Sequence, residues 1–275
     1  MLKGREDSQP RVAASSYLNT APLIWAFLHG SQKSCVQLLT DTAPARCAEM
    51  LEHGEVAAAL VPVIEYQRIP EILIVPDVCV GSRRRVRSVV LASRVRDLKD
   101  VRRVALDTSS RTSAALVRII FREFLGFEPE WRQSAPDLRR MLEESEAALI
   151  IGDPAMTFPH ENLRVYDLAS LWREHTGLGF VFAMWMARVS DLGKVRALDF
   201  AGARDEGLAH TEEIINEYEP ALKLPRSELR EYLLENISFD LNEEMRAGLK
   251  LYFQLAHKHG IISALRPLQM IEGEV

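Results

Sequence analysis

The stretch Val104-Ala-Leu-Asp107-Thr-Ser-Ser-Arg-Thr-Ser113 sets hydroxyls and one guanidinium directly ahead of an apolar-periodic segment, Ala114 to Phe124. It reads as strand, tight polar turn and helix. The first N–H groups of a helix have no intrahelical partner, and with the helix dipole they favour an anion. Ser110, Arg111, Thr112 and Ser113 are therefore candidate ligands of a carboxylate. The plainer alternative is that the hydroxyls only cap the helix, and that Arg111 pairs with an acidic neighbour. The arrangement recurs twice. Ser16-Tyr17-Leu18-Asn19-Thr20-Ala21-Pro22 follows a strand at Arg11 to Ser15 and leads a helix ending near Gly30, with Asn19 or Thr20 as N-cap. Gly152-Asp153-Pro154 follows the apolar run Ala147 to Ile151, with Asp153 placed as cap and Pro154 as first helical residue.

Other side chains qualify singly. In Arg87-Ser88-Val-Val-Leu91, period-two alternation leaves Ser88 as a lone hydroxyl on an apolar face, either a site residue or a core serine bonded to backbone. Glu65 lies just beyond the end of an apolar strand, and Thr176 and Gly177 precede another. Arg83, Arg84 and Arg85 read as a solvated turn. His257 and His259 lie two apart, on different faces of a helix, which argues against a shared metal. Cys35, Cys47 and Cys79 are odd in number and form no C-x-x-C pair; they read as buried thiols of a reducing compartment. There is no G-x-G-x-x-G, Walker loop, G-x-S-x-G elbow or defensible Cys–His pairing, so no cofactor is expected.

With 275 residues the chain is long for one domain and short for three. Its 47% apolar and 27% charged residues suit a globular protein with a real core. A net charge of −5 disfavours nucleic acid as a partner, because such binders need a basic surface, so an anionic ligand must be attracted locally. Met1 to Pro10 lacks the apolar run of a secretory signal, and no run of about 18 apolar residues exists, which points to a cytoplasmic protein with no membrane partner.

Strands and helices must alternate to hold these turns. Pro44 to His53 reads as a helix stopped by Gly54, Glu55 to Val63 as a buried strand, Pro136 to Glu144 as a helix and Leu178 to Trp185 as a strand. Helical patterns follow near Thr211–Tyr218, Ser227–Asn236 and Leu241–His259, the last with Asp240 and Glu243 spaced as a capping pair. We expect an α/β fold of two lobes, residues 1–93 with 186–275 and residues 94–185, crossing near Leu91–Val101 and Trp185–Arg188. The helix starts would face a common cleft suited to a small anion, since ligands of open α/β sheets sit beyond the carboxyl ends of strands.

Taken together, Ser16-Tyr-Leu-Asn-Thr20 with Pro22-Leu23, Leu60-Val-Pro-Val, Asp107…Ser110-Arg-Thr-Ser113, Ile150-Ile-Gly-Asp153 and Thr176-Gly-Leu…Phe180-Val-Phe-Ala…Trp185 resemble the chorismate dehydratases of the futalosine route to menaquinone. The resemblance spans roughly residues 11 to 188 and departs at Gly179, where that family has proline. It implies a type II periplasmic-binding-protein-like fold and loss of water from chorismate to give 3-[(1-carboxyvinyl)oxy]benzoate, without a cofactor. By the same resemblance Asn19 and Ser88 are the catalytic positions. Ser16, Thr20, Ser110, Arg111, Thr112, Ser113, Gly152, Asp153 and Thr176 would surround the substrate. The base would be the substrate's own enolpyruvyl carboxylate, with Asp153 and Glu65 as protein alternatives. Two rival readings are the 1,4-dihydroxy-6-naphthoate synthase of the same route and a non-catalytic carboxylate binder; a homodimer is left open.

Overall fold

A computed structural model describes residues 9–271; most of the Met1-to-Pro10 segment discussed above lies outside them. The strands in chain order are β1 (Arg11–Ser15), β2 (Gln37–Asp41), β3 (Ala58–Pro62), β4 (Ile72–Ser82), β5 (Val89–Ser93), β6 (Arg103–Asp107), β7 (Glu130–Ser134), β8 (Ala147–Ile151), β9 (Arg164–Asp167) and β10 (Phe180–Arg188). They form two five-stranded sheets, ordered β2-β1-β3-β10-β4 and β7-β6-β8-β5-β9, and each sheet heads one lobe. Within each sheet the βα units run parallel. β10 runs antiparallel to β3 and β4, and β5 to β8 and β9.

The lobes are therefore exchanged at both ends relative to the expected boundaries. β5 belongs to the second sheet and β10 to the first, so the sheet-to-sheet crossings lie between Ser82 and Val89 and between Thr176 and Phe180. The charged run Arg94 to Asp100 only joins β5 to β6 inside the second lobe. The first crossing turns at Arg87, which has φ +63 and an ion pair to Glu228 at 2.7 Å. Its guanidinium ties the crossing to the C-terminal helices.

The polar helix starts form as expected, with adjusted caps. The helix Ala21–Leu28 follows a short 3-10 turn, Leu18–Thr20, and Thr20 as N-cap makes no side-chain capping bond. Gly152, not Asp153, caps the helix Asp153–Thr157. Asn242, not Asp240, caps Glu243–Lys258, its carboxamide accepting from the Met245 N–H at 2.8 Å. Cys47 and Cys79 are buried, but Cys35 is exposed because it lies in the polar turn ahead of β2. One continuous apolar core links both sheets through Leu18, Ile64, Leu116, Phe121, Trp172, Phe180, Trp185 and Tyr252. No helix among the described residues is long and apolar enough to cross a membrane.

Candidate functional site between the lobes

A cavity lies between the carboxyl ends of the two sheets. Its walls are aliphatic and aromatic, with Leu60, Pro62, Val80 and Phe182 from the first lobe and Val89 and Ile151 from the second. Its polar groups come from the three helix starts: Ser15, Tyr17, Asn19 and Thr20; Ser109, Ser110, Thr112 and Ser113; and Gly152. No lysine, arginine, histidine or carboxylate lines it. An apolar cavity edged by neutral donors suits a small ligand that carries its own negative charge, bound by backbone N–H groups and hydroxyls.

The helix Arg111–Ile119 supplies the largest group of donors. Ser110, its N-cap, makes no capping bond with its side chain, so capping does not explain this hydroxyl. Ser113, buried at the cavity wall, likewise makes no side-chain hydrogen bond among the described residues. Thr112 is committed elsewhere, its Oγ1 accepting the Ile64 N–H at 3.3 Å across the lobes. The Thr20 hydroxyl lies 2.7 Å from both the Ser15 and the Tyr17 carbonyl oxygens. That contact shapes the Ser16–Thr20 turn and so presents Asn19.

Several expected site residues lie elsewhere. Arg111 is held by Glu65 at 3.0 Å and Glu49 at 2.9 Å, and does not line the cavity. Glu65, nearly fully buried, is shared between Arg111 and Arg68 at 3.0 Å each and lies outside the cavity lining, which removes it as the base. The Ser16 hydroxyl points to the Asp41 carbonyl at 3.4 Å. Thr176 finishes its own helix, its hydroxyl donating to the Trp172 carbonyl at 2.7 Å and accepting the Leu178 N–H at 3.1 Å. Local backbone needs claim both hydroxyls, which spacing alone does not show.

Asp153 is outside the cavity lining, and instead of capping its own helix it reaches across the lobes, accepting the Leu18 N–H at 3.0 Å. Burial pushes its carboxyl up to about 6 from an ordinary 3.8, against the opposing pull of that hydrogen bond. A carboxyl with a raised folded-state value binds its proton more tightly when folded, so stability falls as pH rises from about 4 through about 6. Asp153→Asn keeps an acceptor for Leu18 and removes this dependence. The variant is expected to melt higher than the parent at pH 7 and equally at pH 4, as read by thermal denaturation at both values.

Two elements were not singled out from the sequence. Tyr17 packs its ring against Gly152, whose backbone sits at φ +68 and ψ −151, a conformation reserved for glycine. A Cβ on Gly152 would stand 2.6 Å from the Tyr17 ring. Beside Tyr17, Asp107 accepts both the backbone N–H and the hydroxyl of Ser109, at 2.8 and 2.6 Å, and burial raises its carboxyl. Tyr17 itself is pushed up to about 12 by burial first and by Asp107 second. The signal for Tyr17 was its place inside the Ser16-to-Thr20 turn.

Ser88 lies just behind the cavity wall. It is fully buried, its carbonyl accepts the Gly152 N–H at 2.8 Å, and its neighbour Val89 lines the cavity. Its hydroxyl has no hydrogen-bond partner, so the reading of Ser88 as a backbone-bonded core serine does not hold.

Two lobes, each built on a mixed five-stranded sheet and closing on a neutral, donor-edged cavity, define the fold of the periplasmic binding proteins. Solved structures agree in fold: a protein of Archaeoglobus fulgidus superposes with a TM-score of 0.75 at 18% identity, covering 93% of this chain and 99% of that one. The aliphatic sulphonate binding protein of Escherichia coli gives 0.63 at 16% identity, covering 98% and 95%. The chain belongs to the menaquinone biosynthesis family, whose model matches residues 10–258. It is also 32% identical over 255 residues to the chorismate dehydratase of Thermus thermophilus, covering 86% of this chain and 91% of that relative.

Proposed function

We propose that this chain is a cytoplasmic chorismate dehydratase, forming 3-[(1-carboxyvinyl)oxy]benzoate and water in the futalosine route to menaquinone. The observation that carries the reading is the cavity's donor set: free hydroxyls and a helix start facing an apolar slot, with no cation to bind carboxylates and no side-chain base. The curated relative supports the substrate. Ser110 and Ser113, with the N–H groups that open their helix, bind one carboxylate of the dianion. Leu60, Val80, Val89 and Phe182 flank the ring.

In the reaction, the hydrogen on the ring carbon bearing the ether oxygen leaves as a proton. Its electron pair forms the new ring double bond, and the neighbouring hydroxyl departs with its bonding electrons and takes up a proton as water. Aromatisation drives the step. The substrate's enolpyruvyl carboxylate is the base, held against that hydrogen by the surrounding hydroxyls, which accounts for the missing side-chain base. Asn19 and Ser88 orient the enolpyruvyl group and the departing hydroxyl.

Incubating the purified protein with chorismate alone, and following ultraviolet spectra and mass, tests this: the product lighter by one water must form faster than in a protein-free control. Intact chorismate that binds tightly by calorimetry would instead mark a binding protein. Because Tyr17 is the single titratable side chain in the lining, kcat is expected to change by less than about twofold between about pH 7 and pH 10. A bell-shaped profile centred in that range would show that a protein base has been overlooked.

A further inference from the structure

Tyr232 sits in the C-terminal π-turn Tyr232–Asn236, in a region of the chain to which no site role has been given above. Its side chain is 1% exposed, and its hydroxyl is a buried polar group without a well-formed hydrogen bond. It stands beside Ser88 and Asn19, whose side chains come within hydrogen-bonding reach of its hydroxyl, and Asp153 and Arg87 are near enough to act through space. The hydroxyls of Tyr232 and Ser88 both lack a well-aligned hydrogen bond, although they stand beside one another and next to the amide of Asn19. A buried hydroxyl left without a well-aligned partner costs about 1–3 kcal/mol, so the poor alignment of this pair calls for a reason.

We propose that Tyr232 is a positioning residue of the active site, whose hydroxyl sets the orientation of Asn19 and Ser88 toward the substrate. This assignment rests on the dehydratase reading given above. Burial holds Tyr232 firmly protonated, so it is a fixed donor at every working pH. When it donates to Ser88 Oγ, the single hydrogen of Ser88 is left to point away from Tyr232 and toward the departing hydroxyl. An N–H of Asn19 can donate to Tyr232 Oη in turn, which leaves the other N–H and the carboxamide oxygen of Asn19 for the enolpyruvyl group. No atom of Tyr232 needs to touch the substrate.

Tyr232→Phe keeps the buried ring and removes only the hydroxyl. It is expected to lower kcat about 100-fold while KM for chorismate changes less than about threefold, because orientation rather than binding is lost. Its melting temperature should stay within a few degrees of the parent's, since the buried ring and its packing are kept. In a Ser88→Ala background the same change should have almost no further effect on kcat, as expected of residues acting as a unit. A core-filling tyrosine would move neither kcat nor this coupling. If the parent protein turns over chorismate and Tyr232→Phe retains kcat within twofold, or the two changes multiply independently, the assignment is overturned. A parent that leaves chorismate intact overturns the dehydratase reading and this assignment with it. If Tyr232→Phe fails to fold, the role is packing and the assignment is likewise overturned.

Discussion

Asn19→Ala is expected to lower kcat on chorismate by about 10²–10³-fold, the effect of removing one preorganised polar group from a site that has few. The side chain lines the cavity and is half-buried, so its truncation removes little packing and the fold should be retained. Asn19 is presented by the Thr20 hydroxyl's contact with the Ser15 and Tyr17 carbonyls, and that contact survives the substitution. An unchanged melting curve with a collapsed kcat is therefore the signature to look for in steady-state kinetics. A kcat within threefold of the parent would remove Asn19 from the mechanism.

Gly152→Ala is expected to have the second-largest effect, from two sources that can be separated. The backbone at φ +68 and ψ −151 costs a side chain about 1–3 kcal/mol by itself. The new Cβ would also press on the Tyr17 ring at 2.6 Å, and Tyr17 belongs to the opposite lobe. Gly177→Ala is the control, because Gly177 has φ +73 and open space around its Cβ position. Both variants should melt several degrees lower than the parent, but Gly152→Ala alone should lose most of its turnover and show a larger radius of gyration by scattering with chorismate present. Equal turnover in the two variants would mean that the Tyr17 contact plays no part in bringing the lobes together.

What could be read from the chain was what leaves a local mark. Helix starts marked by Pro22, Pro154 and the Ser110–Ser113 cluster, and strands such as Ala58–Pro62 and Ala147–Ile151 that are apolar throughout, stand out because each is dictated by its neighbours in sequence. The edge strands β2, β7 and β9 did not stand out. They are half-exposed and polar, as in Glu130-Trp-Arg-Gln-Ser134, and are strands because a neighbouring strand offers them hydrogen bonds. The lobe boundary was misplaced for a similar reason. A charged run resembles a linker, whereas the crossing depends on which sheet accepts β5 and β10, a matter of distant pairing.

The same division holds within the site. Asn19, Thr20, Ser110, Thr112, Ser113 and Gly152, all at helix starts, do line the cavity. Arg111 and Glu65 carry the charge expected of a ligand and a base, but they neutralise one another 46 positions apart in the chain, and only the folded protein shows that. Tyr232 lay beyond reach for the opposite reason. It looks like any core aromatic until Ser88 and Asn19 are brought against it.

Where the crossings fall bears on the timing of the reaction. Ser88 is the last residue before β5 enters the second sheet, while Asn19 follows β1 out of the first. Any parting of the sheets would pull this pair apart, so on the dehydratase reading the lobes are expected to come together before turnover, with the two crossings, Ser82 to Val89 and Thr176 to Phe180, as the hinges.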